Sequence, residues 1–405
     1  MLIVSRQESL SMLLSAADQI AFDRVSQCRP QWTGMCRVNE VLPDQSKRLL
    51  HAGPPFKLID TIPAPVMNSL CVGAVWEGWA ETNDQAKQMI LQGEICVEPA
   101  QDHSIVVPLA GVVSPSMQLM VVADANNPGA RKYSVLNEGM VHCTRLGKLD
   151  PELQAHLSWL NSSLSGWITT GLTQPIDLLP VIAAALADGD DCHGRTIAGS
   201  ALIAAQLKQA NTGTIPTDVN EFMDGAMAFA LNLWMAASSL MMSAAEAVEG
   251  ASLITKAAGN GYEFGVQVAA KPGHWITMPA PEIKGAVEEV HAGLNALGAI
   301  GDSAVVDFIG LGGQVLNSAP ASYEGLKAYL PEDALGRPDK ALTGMLSGFG
   351  SRPAMTSARQ VVENQAGPMV LLGMIESRGE AGRIGGGVVD VPAEFFRHVL
   401  NEAGL

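Results

Sequence analysis

Residues 149–167 read LDPELQAHLSWLNSSLSGW, and they decide between alternating strands and helices throughout and a chain with a helical centre. Asp150 suits a helix N-cap, because a short carboxylate accepts from amides one turn ahead. Pro151 suits the first helical position, where no N–H is needed. Leu153, Leu157, Leu160, Leu164 and Trp167 recur at three- and four-residue spacing, which lines one face of an α-helix. The helical texture continues downstream. A second helix is expected from about 177 to 187, a third from near 191 to about 210, and an uncharged one from 221 to about 248. Residues 150–250 therefore read as a helical domain.

The flanks differ. Residues 7–26 keep helical spacing through Leu10, Leu13, Leu14, Ala17 and Ile20. From about 45 to 125, short apolar runs such as GEICVEPA and LMVVADA alternate with Gly, Pro and Asn turns, as strands with intervening helices do. After 250, YEFGVQVAA, HWITMPAP, SAVVDFIG and GGGVVDVPA are strand-like, while EIKGAVEEVHAGLNALG and SARQVVENQAGPMVLLGMIES look more helical. The expected fold class is α+β, compact and multidomain: mixed strand/helix domains at 1–149 and 251–405 flank the helical 150–250. No Rossmann signature is present. In IGLGGQVLNSA, Gly310 and Gly312 are followed by Val315 where the third glycine would stand, and no acid follows at the distance a ribose needs.

Composition limits the function. The 405 residues carry a net charge of −16, which disfavours nucleic acid and anionic membranes as partners. The six cysteines show no CxxC spacing, so neither a zinc framework nor a disulfide scaffold is expected. The N-terminus lacks a basic region before its apolar stretch, and a cytoplasmic protein is expected. AMAFALNLWMAASSLMMSAA, 226–245, is long enough to span a bilayer. It contains Asn232 and three serines, lies between Asp224 and Glu246, and has no Lys or Arg close by. A buried core helix is expected instead.

The chemistry concentrates in ALADGDDCHGRTIAG, 185–199. Asp188, Asp190, Asp191, Cys192, His193 and Arg195 cannot all face a core. The stretch falls in the joint between the second and third expected helices. As plain structure, Gly189 would end one helix, Asp190 or Asp191 would cap the next, and Asp191 would pair with Arg195. As function, it would form a wall of a substrate site. A metal site on Asp188, Asp190, Asp191 and His193 would need ligands from elsewhere. Other polar clusters are Asp102, His103, Ser114 and Ser116 in EPAQDHSIVVPLAGVVSPSM, which has no GxSxG elbow, and Asn137 to Gly139 with His142, Cys143 and Arg145. The glycines around Gly312 and the run beside Arg383 could present amides to an anion.

The strings LLHAGPPF, GAVWEGWAET, PLAGVVSPSM, LNEGM, ALADGDDCHGR, GNGYEFGVQV, GDSAVVDFIGLGG and IGGGVVDVPAEFF occur in this order across nearly the whole chain. Together they resemble the AllG (YlbE-type) family. The chain departs from the family pattern at Gln101–Asp102–His103 and at Gly194. The resemblance implies a subunit of a bacterial oxamate carbamoyltransferase, acting beside FdrA-type (AllF) and AllH subunits in anaerobic allantoin breakdown. That enzyme interconverts oxalurate plus phosphate with oxamate plus carbamoyl phosphate. Such a reaction needs donors for a charged carbonyl oxygen, neutralisation of phosphate, and a proton for the leaving amide nitrogen. The candidate general acid is His193, oriented by Asp190 or Asp191, with His51 and His103 as second choices. Arg195 is the candidate anion ligand. Asn137, the amides of Gly312 and Gly313, and Arg383 complete the substrate-binding set. No Ser-Thr-Arg-Thr phosphate loop occurs, and no cofactor or metal is expected. A scaffold subunit without chemistry, a paralogue using another carbamoyl acceptor, a metal-dependent hydrolase and self-association into a homo-oligomer are the alternatives.

Overall fold

The structure is a computed structural model that describes residues 15–44 and 46–405. The first half of the helix expected at 7–26 lies outside these. Its remainder is the helix Ala16–Gln27, whose N-cap Ser15 accepts from the Asp18 amide at 3.0 Å.

The helical centre begins two residues later than expected: Glu152, not Asp150, is the N-cap, and Pro151 lies in the turn before it. The Asp150 carboxylate accepts from the Glu152 amide at 2.9 Å. The helix Leu153–Trp159 then runs through a π-helical turn, Leu160–Leu164, into Ser165–Gly171. All five residues of the apolar stripe are buried. The helix Leu178–Ala187 follows. The uncharged segment breaks into Thr217–Gly225 and Phe229–Ser243, bent by 66°, and among the described residues no single helix is long and apolar enough to cross a membrane. Phe229–Ser243 is buried on nearly every side. It packs on the strands Gln118–Asp124 and Asn127–Val135 and on the helices Ile197–Ala210 and Ala304–Ile309. One apolar cluster, from Ala21 to Val399, contains it.

Several small sheets surround this helix, so the chain is α+β. The largest has five strands in the order Ile105–Val106, Asn127–Val135, Gln118–Asp124, Pro30–Arg37, Ile176–Asp177. Ile254–Asn260 lies inside a four-stranded sheet beside Glu263–Val268, and Lys284–Val287, Arg383–Asp390 and Met369–Ile375 form a three-stranded one.

Other local expectations are corrected. SARQVVENQAGPMVLLGMIES is helical only over Ala358–Asn364, and its MVLLGMI is the strand Met369–Ile375, paired with Arg383–Asp390. SAVVDFI forms the helix Ala304–Ile309 rather than a strand. Every residue in it is buried, and a short run that is apolar all round has no period to tell a buried helix from a buried strand. EIKGAVEEV is not helical: Lys284–Val287 is a strand that pairs with the glycine-rich strand Arg383–Asp390. The third helix starts at Ile197, not near 191. Cys192 has a left-handed backbone, φ +68°, which interrupts any helix before it can start there.

Leu233 has no exposed surface. Leu233→Ala should therefore cost about 2–5 kcal/mol in urea unfolding. Ile20→Ala, at a side chain that is 53% exposed, should stay within about 0.5 kcal/mol.

Candidate functional site

The joint at 188–196 is a turn built around two buried carboxylates. Gly189, at φ +88°, lets the chain leave the helix Leu178–Ala187. Asp190 Oδ2 accepts from the Gly199 amide at 2.9 Å. Asp190 thus caps the helix Ile197–Ala210 from seven residues ahead of it, where amides at the positive helix end favour an anion. Burial pushes its carboxyl up, against the pull of the Gly199 and Ala198 amides and the Arg195 charge. Asp191 Oδ1 accepts from the His193 amide at 2.7 Å and the Arg195 amide at 3.1 Å, and its Oδ2 accepts from the Ser322 hydroxyl. The expected side-chain pair of Asp191 with Arg195 does not form. The Arg195 guanidinium lies instead 3.6 Å from Asp190 Oδ1, with 39% of the side chain exposed.

The turn presents His193 to a carboxylate 114 residues away. His193 Nδ1 lies 2.6 Å from Asp307 Oδ2. Asp307 sits on the buried helix Ala304–Ile309, and its Oδ1 accepts from the amides of Gly313 at 2.8 Å and Leu371 at 3.1 Å. Oδ1 is thus held by two amides and Oδ2 by His193. Only 5% of the His193 side chain is exposed. Burial lowers the basicity of the imidazole, but the charge of Asp307 and its hydrogen bond outweigh this and hold the pKa above the ordinary value. Asp307 is itself pushed up by burial, against the pull of His193 and the Gly313 and Leu371 amides. With Nδ1 committed to Asp307, Nε2 is the nitrogen left to exchange a proton with a ligand.

The orienting carboxylate is therefore Asp307, not Asp190 or Asp191, whose oxygens are taken by amides, a hydroxyl and Arg195. Asp307 lies within GDSAVVDFIGLGG, and its signal in the sequence is an acid inside an apolar run. A buried charge must find donors, so an acid in such a run is a candidate on that ground alone. Gly312 and Gly313 reach the same place. The Gly312 amide donates to the Asp191 carbonyl at 2.7 Å, and the Gly313 amide to Asp307. A Cβ on Gly312 would fall 2.2 Å from Asp307 Oδ1 and 3.1 Å from His193 Cβ. The glycines thus let the turn close on the dyad, and both amides are occupied by protein acceptors.

The other candidates lie in separate networks. His51 is fully buried, with Nδ1 2.7 Å from the Ala52 carbonyl and its ring against Phe56. Burial pushes it down to about 4. His103 Nε2 lies 2.6 Å from Glu98, and Asp102 accepts from Lys256 and Trp275. Asn137 donates to the Ala228 carbonyl and Asn232 Oδ1 while accepting from the Gly139 amide. Arg383 reaches Glu288 at 3.5 Å. Ser114 and Ser116 both donate to Glu77. Among the described residues no three His, Cys, Asp or Glu side chains are grouped to hold a metal ion.

Asp302 gathers a second set of motifs. It accepts from the Gly53 amide at 3.0 Å, Gln101 Nε2 at 2.9 Å and the Val107 amide at 2.8 Å. Burial raises its carboxyl to about 7. This gives opposed pH dependences. The folded chain holds the Asp302 proton between 3.8 and about 7, where the unfolded chain has lost it, so that stabilisation fades as pH rises through this range. His51 is the reverse: between 6.5 and about 4 only the unfolded chain takes up its proton, so stability falls with falling pH. Asp302→Asn removes the first effect and leaves the second. The variant should lose stability more steeply than the parent as pH drops from 6.5 toward 4, measured by urea unfolding across that range. An unchanged slope would contradict the assignment.

Residues 95–303, more than half of the chain, match the family described as oxamate carbamoyltransferase subunit AllG. The uncharacterised protein YahG of Escherichia coli K12 is 30% identical, over 96% of this chain and 85% of its own length. The oxamate carbamoyltransferase subunit AllG of the same organism is 28% identical, over 96% of this chain and 97% of its own. A crystal structure of a conserved protein of unknown function from Enterococcus faecalis V583 superposes with a TM-score of 0.87 at 26% identity, covering 96% of this chain and 97% of that one. The chain belongs to the AllG family.

Proposed function

We propose that this chain is a subunit of a carbamoyltransferase that interconverts oxalurate plus phosphate with oxamate plus carbamoyl phosphate, and that its Asp307–His193 pair moves the proton. The observation that carries the reading is the buried dyad: Nδ1 held at 2.6 Å by Asp307, Nε2 without a hydrogen-bond partner among the described residues, and a partly exposed Arg195 two residues on. In the forward direction a phosphate oxygen attacks the carbamoyl carbon of oxalurate. The bond from that carbon to the oxamate nitrogen breaks as His193 Nε2 delivers a proton to the nitrogen. In reverse, Nε2 takes the proton back. Asp307 stabilises the imidazolium that donates, its charge and hydrogen bond raising the His193 pKa against the opposing effect of burial. Arg195 binds the carboxylate or the phosphate. The remaining anion ligands come from FdrA-type and AllH partner subunits, which fits a family described by the word subunit.

The test is co-expression with the neighbouring genes, followed by assay of carbamoyl phosphate formation. His193→Gln should lower turnover by about 10²–10⁴-fold with assembly intact. Asp307→Asn should lower it too and move the ionisation of the essential acid to lower pH, a change that a packing defect would not produce. Arg195→Met should weaken anion binding about ten- to a hundred-fold, the value of one charge-assisted hydrogen bond. Arg195→Lys should restore only part of it. Full activity in His193→Gln would make the chain a scaffold. Activity on a different amide acceptor, with none on oxamate, would make it a paralogue using another carbamoyl acceptor.

A further inference from the structure

Lys284–Val287 forms the margin of the three-stranded sheet. Lys284 through Val287 pair antiparallel with Val388 through Gly385, and the Glu288 amide extends the ladder to the Ile384 carbonyl at 2.8 Å. In such a ladder each residue aims its N–H and C=O to the same side, and successive residues alternate. Lys284, Ala286 and Glu288 therefore face the neighbouring strand, while Gly285 and Val287 aim their backbone groups outward. No described strand pairs with that outer edge. Neither proline nor a bulge blunts it. Val287 is 39% and Val290 84% exposed. A cleft of about 930 Å³ opens beside them, lined in part by Leu294, Tyr329 and Met374.

We propose that two copies of this chain join here by antiparallel strand addition about a two-fold axis at Ala286. That register sets Gly285 opposite Val287, so outward-aimed groups meet as hydrogen-bonded pairs on both sides of the axis. It also sets Lys284 opposite Glu288, on one face of the sheet, at both ends. Centring the axis on Gly285 would oppose Glu288 to Glu282, two like charges, and centring it on Val287 would face Lys284 with Val290. On the same face Arg383 lies flat across Gly373 and Gly386, whose missing Cβ atoms would fall 3.4 and 3.1 Å from its side chain. It reaches Glu288 at 3.5 Å. Glu288 would then sit between Arg383 of its own chain and Lys284 of the second copy. The small side chains of Gly285 and Ala286 let the strands close, and a continuous sheet through both copies results.

The purified chain should run as a dimer in light scattering at tens of micromolar. Ala286→Cys should give a disulfide-linked dimer on mild oxidation, because that residue faces itself across the axis, while Gly285→Cys and Val287→Cys should not, each read against the unsubstituted chain. Glu288→Lys should raise the dissociation constant about ten-fold or more by reversing two cross-strand pairs. Lys284→Glu combined with Glu288→Lys should restore it. A monomer at these concentrations, a crosslink from Val287→Cys instead of Ala286→Cys, or a charge swap that fails to restore the dimer in a normally folded chain would each overturn the proposal.

Discussion

A carboxylate with no access to water must be supplied with donors, and Asp307 takes them from two distant parts of the chain and from the turn six residues on. His193, Gly313 and Leu371 each donate to it. The joint between two helices, the glycine turn and the strand Met369–Ile375 are thereby brought to one point. Leaving such a charge unpaired in the interior costs several kcal/mol, so each of these segments is held where it is by the same requirement. The position of His193 follows from it, since an imidazole paired at Nδ1 can turn only one nitrogen outward.

The acids of this region also explain how an acidic chain keeps a cation available. Asp190 and Asp191 are wholly buried, yet most of their acceptor capacity is met by backbone amides and a serine hydroxyl. Arg195 is therefore needed only loosely, at 3.6 Å from Asp190, and keeps 39% of its side chain in solvent. Had the guanidinium been the main partner of either acid, it would be locked in a bidentate pair and closed to an anion. The net charge of −16 matters little at this range, because salt screens distant charges beyond roughly 8 Å.

Periodicity and composition govern what is legible in the sequence. The stripe from Leu153 to Trp167 has a clear period, and the buried Phe229–Ser243 helix has an unmistakable composition. The joint at 188–196 is legible too, because six polar residues in an apolar chain stand out. Its internal wiring is not. Asp191 looks like a helix cap paired with Arg195, but the left-handed Cys192 turns the chain, and the amides that meet Asp191 are those of the turn itself. Asp307 is hidden because a short apolar run carries no period, and strand or helix decides where an acid in it points. His51 and Asn137 look like chemistry because they are polar among apolar neighbours; His51 is bound to its own chain neighbour Ala52, and Asn137 to Ala228 and Asn232, which no short sequence window contains.

Of the two buried acids, Asp302 stands just before one short helix and Asp307 in its second half, and this geometry links the scattered family strings to one another. Six residues at about 1.5 Å rise make Ala304–Ile309 roughly 9 Å long. At its start, Asp302 holds the loops after Arg48–His51 and before the PLAG segment, together with the turn at Gln101. In its second half, Asp307 holds the joint, the glycine turn and the strand that adjoins Arg383–Asp390. GDSAVVDFIGLGG contains the rod, and LLHAGPPF and the residue before PLAGVVSPSM are held by Asp302 ahead of it while ALADGDDCHGR is held by Asp307 within it. Because the rod is buried on every side, neither end can shift without disturbing a packed core. A ligand that bears on His193 therefore meets a site whose geometry is fixed in part by the loops gathered ahead of the rod.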